Sequence, residues 1–541
     1  MRTKLKEKDS YLLDDAAMQR FIVEGFLTLK SDLPDDYHAR MYRELEPLDE
    51  TGPLGHNNLL PCAPDLRMML NEPRVTGALK SILGPDYFLH FHRHDHVNYP
   101  DGAQALHKDG DNHSHHAIDG FRRYHKTRNV MLLYYPQDTP IEMGPTGIVP
   151  RSQYVSRRAV DNLKKRADEC KAKILEEIRA TSGPDDFRGI NRFERYAEME
   201  KEFTERHSDL AAEIDETSAP WEEAKIPLSG NAGTISIVHF DLVHGRYGAN
   251  TVGRQRHMVK FLFSRHREPD GPSWEHHSAE WFNTEDNQLT PVWKHIWAWH
   301  RGGDTTPEPS TSSLGDLAEL LMSDDDSMAT GAAYELGTTS LGLDLLFEKF
   351  VSDNTAVRSI AAYGIVHAGK SALSRLLELI DQAEPGLQLR IIDVIGDIGI
   401  EAEDAVGRLV SLSNSEDVQV RRAVAESLGL IAQACKEVSN EVIQVLSEAL
   451  VDEDAIVVRN ATFSTAQLGA AVSTQTIVER IDQNLSHWHH HVRGWSIETL
   501  QRLDSPTATR LALNYLMAAR WDPAHKSGDI AQTAKVMDKA S

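Results

Sequence analysis

The stretch QALHKDG at residues 104–110 places His107 and Asp109 two positions apart. On an extended strand, residues i and i+2 point to the same face, so this imidazole and this carboxylate are predicted to share one side of the backbone. Far downstream, the stretch VHGRYGAN at residues 243–250 contains a second histidine, His244. Two histidines and one carboxylate form the ligand set that holds non-haem Fe(II) and leaves positions open for a co-substrate and O2.

The segments around these residues have the pattern of β-strands. Residues 87–99 alternate in polarity, and residues 130–135, 233–240 and 257–264 are short apolar runs bounded by turn residues. Near the N-terminus, residues 11–24 have helical periodicity and lead into the strand-like GFLTL at residues 25–29. Many strands with few helices predict a β-sandwich or a double-stranded β-helix, the jelly-roll class.

Four motifs in fixed order give this part of the chain its resemblance to a known family. GFLTL is followed by the H-x-D, by GPTGIVPRSQY at residues 144–154, and by HGRYGAN at residues 244–250. In this order the chain resembles the phytanoyl-CoA dioxygenase-like family of Fe(II)/2-oxoglutarate oxygenases over about residues 10–301. The resemblance implies a jelly-roll oxygenase domain with flanking helices, assigned here to residues 1–301, and Fe(II), 2-oxoglutarate and O2 as cofactors.

The resemblance also assigns the site. It implies that His107, Asp109 and His244 are the iron ligands. It further implies that Arg256 clamps a carboxylate of 2-oxoglutarate, which suits the paired donors of a guanidinium. Arg254 is the alternative clamp, because the loop after His244 is one residue longer than usual. The chain departs from the family pattern at Arg151-Ser152-Gln153 and at Arg246, which places the surroundings of the co-substrate in question.

The residue at position 109 bears on the type of reaction. A carboxylate there occupies the position that halogenating members of the family leave for chloride. Hydroxylation of a small-molecule substrate, with succinate and CO2 as co-products, is therefore expected, and desaturation or ring closure remains an alternative. An inactive oxygenase fold that serves as a scaffold, and a metal-dependent hydrolase with the same ligands, are the competing hypotheses.

Other histidines are weaker candidates. The predicted strand at 87–99 carries a row of four, of which His94 is taken as a contact of the co-substrate and the others as cavity-lining or solvated: His90, His92, His94 and His96. His239 is a possible rival of His244. A second loop cluster lies just after Asp109: His113, His115 and His116. The triplet at residues 489–491 is expected to be exposed.

Residues 155–225 interrupt the strand pattern. They are strongly charged and carry apolar residues at helical spacing, from Val160 to Ile178. We interpret them as a helical insertion. The spacing leaves open whether the insertion is simply packed on the oxygenase domain or forms a lid over the site.

The chain changes character after residues 302–313, GGDTTPEPSTSS, which have the composition of a linker. Downstream, a Val-Arg or Leu-Arg pair recurs at Arg358, Arg390, Arg421, Arg459 and Arg493, with a period in the low thirties. This period predicts stacked helical hairpins that resemble HEAT repeats, about six over residues 314–520 of a repeat domain at 314–541. A non-repeating helical bundle is the alternative. Such repeats suit a protein partner or self-association, and the Pro-rich linker predicts a separable module.

Composition excludes several partners. The net charge is −24 for 541 residues, which argues against binding to nucleic acid or to an anionic membrane surface. The three cysteines are far apart, so a disulfide framework is not expected and a reducing, cytoplasmic setting is predicted. No apolar run is long enough for a membrane span.

Overall fold

A computed structural model describes residues 11–50, 59–96, 104–109, 125–181, 191–282, 287–303, 310, 312–435 and 437–520. Most of the predicted linker lies outside these residues. The described chain has a β-rich first part and a helical second part. None of its helices combines the length and the apolar character that a membrane span requires.

Eight strands form two antiparallel sheets in the first part. The larger sheet has the order β1-β6-β3-β8-β2 and the smaller has the order β5-β4-β7. The strands are β1 (Phe26–Lys30), β2 (Phe88–Asp95), β3 (Asn129–Tyr135), β4 (Thr146–Ile148), β5 (Ile226–Pro227), β6 (Thr234–His239), β7 (His244–Arg246) and β8 (Val259–Ser264).

The larger sheet is buried on both faces. Met131 and Leu133 of β3 pack against Ile148 of the smaller sheet, so this face looks into the space between the sheets. The alternate residues Leu132 and Tyr134 belong to a different cluster, which packs against helices. Burial on both faces explains why β3 is continuously apolar, whereas a half-exposed strand would alternate in polarity.

The expectation of few helices in this part is wrong. Among the described residues of the first part, six helices lie outside the insertion: α1 (Asp15–Glu24), α2 (Asp35–Glu50), α3 (Leu59–Cys62), α4 (Leu66–Leu70), α5 (Pro73–Leu83) and α9 (Thr290–His300). They are needed because the outer face of the larger sheet is apolar and must be covered. The first helix starts later than predicted, because the Asp14 side chain caps it by accepting from the backbone N–H of Ala17. It ends at Gly25, whose φ is +79°.

The charged segment forms three helices with a small core of their own. The helices are α6 (Arg158–Thr181), α7 (Asn191–Arg206) and α8 (Ser208–Glu223). Ala167, Ile174 and Ile178 of α6 pack against Met199 and Phe203 of α7. The apolar spacing that predicted helices is thus the spacing of this core, while the charged faces are solvated.

The second part is a succession of helices from Leu314 onward. They are α10 (Leu314–Leu321), α11 (Asp326–Leu336), α12 (Ser340–Phe350), α13 (Thr355–Ala368), α14 (Lys370–Ile380), α15 (Pro385–Ile398), α16 (Val406–Leu412), α17 (Val418–Ile431), α18 (Asn440–Ala449), α19 (Ala455–Leu468), α20 (Gln475–Asn484), α21 (His490–Arg502) and α22 (Pro506–Arg520). Contacts join α15 to α17, α17 to α19 and α19 to α21. Alternate helices therefore stack into layers, as stacked hairpins require.

The recurring arginine has a structural role. Arg358 donates through Nη1 to the carbonyls of Ser352 and Asp353 at 2.8 Å each. Arg421 and Arg493 make the same contacts with the carbonyls six and five residues before them. These three arginines thus bind the turn that precedes their own helix, whereas Arg459 donates to the side chain of Asn460. The contacts with the turn satisfy carbonyls at the end of the preceding hairpin and explain why the pair recurs.

The expectation that few contacts join the two parts is wrong. Phe88 of β2 packs with Phe463 and Trp495 of the repeats. Arg128 donates to Glu268 on its own side and to Asp397 of α15 at 2.5 Å, and all three side chains are buried. Further contacts involve α11 and α13: His125 with Tyr334, and His295 with His367. One layer of the repeat helices thus lies against the β-rich part: α11, α13, α15, α19 and α21. This layer covers aromatic and charged side chains of the β-rich part that would otherwise be exposed to solvent.

The histidine triplet at residues 489–491 is also placed differently from expectation. His491 is only 3% exposed, and its ring lies 5.8 Å from that of His90 on β2. Trp488, in the same turn, is exposed. The triplet is therefore partly buried because it lies at the contact between β2 and the repeats.

The buried ion pair predicts a pH-dependent stability. Burial alone would raise the pKa of Glu268, but the charges of Arg128 and Lys126 outweigh it and lower that pKa to about 2. The pKa of glutamate in an unfolded chain is about 4.3. The stabilisation by the ion pair is therefore present above that pH and is lost as the pH falls toward the folded-state pKa of about 2. We expect the difference in unfolding free energy between the wild type and Glu268→Gln to shrink as the pH is lowered from 5 toward 3, roughly. Urea unfolding at several pH values measures it, and a difference that stays constant would contradict this linkage.

Candidate metal centre

Backbone pairing brings the two histidine segments side by side. The N–H of His107 donates to the carbonyl of His244 at 2.8 Å, and the N–H of His244 donates to the carbonyl of His107 at 2.9 Å. Arg246 donates to the carbonyl of Gln104 at 3.1 Å. The segment 104–107 therefore continues the smaller sheet beyond β7. This pairing explains how residues so far apart in sequence reach one site.

His107, Asp109 and His244 form a compact cluster. Their ligand atoms all lie within 4.8 Å of one another. His107 Nε2 is 3.6 Å from Asp109 Oδ1, and His244 Nε2 is 3.8 Å from Asp109 Oδ2. Among the residues that the structure describes, no other group of histidine, cysteine and carboxylate side chains meets the geometry of a metal site.

The backbone orients both imidazoles. His107 Nδ1 lies 3.0 Å from the carbonyl of Ala105, and His244 Nδ1 lies 2.9 Å from the carbonyl of Leu242. A carbonyl only accepts, so each Nδ1 carries the proton and each Nε2 presents its lone pair toward Asp109. This is the arrangement by which proteins fix the tautomer and the orientation of metal-binding histidines.

The charge states also suit a metal. Burial lowers the pKa of His107 and lowers that of His244 to about 4. Burial would raise the pKa of Asp109, but the charges of Lys260 and His244 outweigh it and hold that pKa well below its usual range. At neutral pH the cluster thus consists of two neutral imidazoles and one carboxylate, which are the forms that bind metals.

Arg256 and Arg254 differ in position. Arg256 is 6% exposed, and its guanidinium lies 5.9 Å from the ring of Tyr135, whose hydroxyl bonds to Thr146 of the smaller sheet. Arg256 therefore lies in the space between the sheets, and its Nε and Nη1 have no hydrogen-bond partner. Arg254 is exposed, and its Nε donates to the Tyr42 hydroxyl at 3.1 Å.

The remaining candidate histidines are dispersed. His94 is paired in register with Lys260, so both side chains are on the same face of the larger sheet, and the ring of His94 lies 4.4 Å from that of His96. His239 is not part of the metal cluster, and its Nδ1 accepts from the N–H of Asp241 at 3.1 Å. Other candidates lie outside the described part of the structure: His113, His115, His116 and the side chain of His92.

The sequence analysis missed Lys260. This residue of β8 is 5% exposed, and its ammonium donates to Asp109 Oδ2. The sequence contains a pattern that could have indicated Lys260. Residues 256, 258 and 260 alternate along an extended segment, so their side chains share a face. A lysine on the face that carries Arg256 should therefore have been a candidate.

The helical insertion contacts the segment that carries His107. Lys164 of α6 donates to the carbonyl of Leu106 at 3.1 Å. Trp221 of α8 packs against a cluster formed by Leu106, Val149 and Val243. The insertion is thus positioned next to the candidate metal centre, through residues that immediately precede His107 and His244.

One segment of the chain matches a known protein family. Residues 373–467 match the family model for HEAT repeats, which confirms the HEAT-like prediction for this segment. No curated protein sequence matches the chain significantly. The chain thus combines a HEAT-like helical region with a β-rich region that carries a His-Asp-His cluster.

Solved structures similar to about half of the chain include two proteins with a bound metal. EctD from S. alaskensis with bound Fe is 13% identical, covering 48% of this chain and 79% of that chain, with a TM-score of 0.31. HygX from Streptomyces hygroscopicus with nickel and 2-oxoglutarate bound is 15% identical, covering 47% and 87%, with a TM-score of 0.29. Because these TM-scores are low, the chemistry proposed below rests on this chain's own residues.

Proposed function

We propose that this chain is an Fe(II)- and 2-oxoglutarate-dependent dioxygenase that hydroxylates a small-molecule substrate. The observation that carries the proposal is the cluster of His107, Asp109 and His244, with both Nε2 atoms directed at the carboxylate. We also propose that the two facing sheets are a double-stranded β-helix and that residues 1–301, 302–313 and 314–541 are the oxygenase domain, the linker and the repeat domain.

The donor set suits a non-haem iron. Two imidazoles and one carboxylate leave coordination positions open, which a structural metal site does not need. Bound iron would supply the activation of O2 and the oxidation of a substrate C–H bond, with one oxygen atom going to the substrate and the other to succinate. The chain's own residues would hold the metal and keep the imidazoles neutral, with His244 and Asp109 buried and His107 partly exposed.

Arg256 would bind the distal carboxylate of 2-oxoglutarate. A buried guanidinium with unpaired donors is costly unless an anion satisfies it. Burial lowers the pKa of Arg256, and Tyr135 together with the charge of Asp95 opposes this effect only in part. We propose His94 as a further residue near the co-substrate, because it shares a sheet face with Lys260.

Replacing Arg256 tests the clamp. In Arg256→Ala, we expect the apparent affinity for 2-oxoglutarate to fall by roughly 30-fold to several thousand-fold, because a buried charge pair is worth about 2–5 kcal/mol when one partner is removed. The measurement is succinate formation against 2-oxoglutarate concentration. Arg254→Ala is the matched control and should leave the affinity unchanged, since Arg254 is exposed. The opposite pattern would mean that Arg254 is the clamp.

The activity itself can be tested without knowing the substrate. We expect purified full-length protein with Fe(II), 2-oxoglutarate and a metabolite extract to form succinate only when O2 is present. Mass spectrometry should then find a metabolite that has gained one oxygen atom. Turnover without O2 would favour the hydrolase hypothesis, and the absence of both iron binding and turnover would favour an inactive scaffold.

Protein binding by the repeats is a separate proposal. The layer of helices nearest the β-rich part is already covered within the chain, as the buried Arg128–Asp397 pair illustrates. A protein partner or a second copy would therefore bind the opposite layer, which includes α12, α14 and α18. HEAT-like surfaces are suited to such contacts.

A further inference from the structure

We propose that the substrate carries an anionic group, a carboxylate or a phosphate, which Lys260 and Arg157 bind beside the metal centre. This inference rests on the proposed dioxygenase function. It concerns two cationic side chains to which neither the sequence motifs nor the proposed binding of 2-oxoglutarate by Arg256 gives a role. Lys260 lies on β8 and Arg157 immediately precedes α6 of the insertion, so the two residues approach the centre from different elements.

Both cations are buried. Lys260 and Arg157 are each 5% exposed. Arg157 Nη2 donates to Asp161 at 2.9 Å, but its Nε is buried without a hydrogen-bond partner. A buried cation is retained only when it is paired or when a ligand completes its pairing. Arg157 is partly paired, because the side chain of Asp161 is 40% exposed, and it therefore retains a donor for a ligand.

Both cations are close to the metal cluster. Lys260 donates to Asp109 Oδ2. The guanidinium of Arg157 lies 5.9 Å from the ring of Trp221, which packs against Leu106, the neighbour of His107. Arg157 therefore lies on the insertion side of the segment that carries His107, and Lys260 reaches the cluster from the larger sheet.

The partners of the buried charges show which cation would have to share its own. A divalent metal ion would be neutralised by Asp109 together with the carboxylate of 2-oxoglutarate that binds it. Arg256 would pair with the other carboxylate, Arg157 is paired with Asp161, and the buried carboxylate of Asp95 is bonded to His257. Once Asp109 binds the metal, the ammonium of Lys260 shares its counterion with a second cation, although it is as buried as before. An anionic group of the substrate would give Lys260 a partner of its own.

The test uses matched probes on the full-length protein. Without O2, with Mn(II) in place of Fe(II) and with saturating 2-oxoglutarate, calorimetry measures the binding of hexanoate, hexyl phosphate, hexanol and hexylamine. We expect at least one of the two anions to bind about tenfold or more tightly than hexanol, as a charge-assisted hydrogen bond would give. Whichever of hexanoate and hexyl phosphate binds more tightly identifies the anionic group. Equal binding of the anions and hexanol would overturn the inference.

Two variants connect this preference to the residues. We expect Lys260→Met to remove most of the preference for anions and Arg157→Gln to weaken it, with thermal unfolding used to check that each protein is folded. An unchanged preference in both variants would overturn the inference. The matched control for loss of a nearby positive charge is Arg254→Ala. The side chain of Arg254 is exposed and bonded to Tyr42.

The affinity for metal alone separates two roles of Lys260. If its ammonium is an excess positive charge, Lys260→Met should bind Mn(II) more tightly than the wild type, because a like charge is removed from the site. If Lys260 instead serves to position Asp109 for the metal, the same variant should bind Mn(II) more weakly, and the inference is overturned. Wild-type protein that binds neither Mn(II) nor 2-oxoglutarate would refute the dioxygenase proposal itself. Normal binding of both without anion preference would refute only this inference.

Discussion

Asp109→Ala is expected to abolish the O2-dependent turnover of 2-oxoglutarate and to weaken Fe(II) binding by more than about 100-fold. Replacing a residue that only orients a metal ligand typically lowers metal affinity by about 10–100-fold. Asp109 is itself a candidate ligand and the sole carboxylate of the cluster, so its loss should cost more. Metal affinity can be measured anaerobically with Mn(II), and turnover as succinate formed. Full activity in this variant would eliminate the proposed centre.

A control is needed because Asp109 also neutralises Lys260. Its removal leaves the buried ammonium unpaired, which by itself can destabilise the fold. The double variant Asp109→Ala with Lys260→Met removes both charges and should restore stability toward that of the wild type. It should still fail to bind metal. Recovery of metal binding in the double variant would show that the single variant had failed through misfolding and not through loss of a ligand.

Removal of the repeats is expected to destabilise the β-rich part. A truncated chain ending at Gly303 would expose Phe88 and would leave Arg128 without Asp397. We expect this chain to be poorly soluble and to lose Mn(II) binding, contrary to the separable module that the linker composition predicts. A soluble truncated chain that binds Mn(II) would show that the contacts with the repeats are dispensable.

A point substitution measures the same interface in the full chain. Asp397→Asn should lower the free energy of unfolding by about 3–5 kcal/mol, since it breaks one partner of a buried ion pair. The matched control is Asp381→Asn. Asp381 pairs with Arg408 within the repeats, but its side chain is 55% exposed, so the expected loss is below about 1 kcal/mol. Urea unfolding of the two variants compares them directly, and equal losses would contradict a structural role of the buried pair.

Local patterns were the most informative part of the sequence. The two-residue spacing of His107 and Asp109 could be interpreted without the fold, although only His107 is paired with a strand and Asp109 lies in the turn that follows it. The alternation and apolar runs located β2, β3, β6 and β8 to within a few residues of their ends. The recurring arginines could be recognised because Arg358, Arg421 and Arg493 each bond to their own preceding turn. Interactions of this kind are encoded within a few residues.

Partnerships between distant residues could not be predicted in this way. Lys260 was overlooked because its partner Asp109 is 151 residues away in the sequence, outside the strands of the larger sheet. The count of helices was too low because the need to cover the outer face of the larger sheet is a property of the assembled sheet. His491 was expected on the surface, since its contact with His90 exists only where β2 meets the repeats.

The sequence by itself therefore determined the candidate ligands, the two-part character and the period of the repeats, since each depends on spacing along a strand or a helix. Only the tertiary structure decided how the two parts meet, which arginine is buried, and where the extra cation lies. The physical reason is that burial and charge pairing depend on which surfaces pack together. Arg254 and Arg256 illustrate this: two residues apart in sequence, one is exposed against Tyr42 and the other is buried between the sheets.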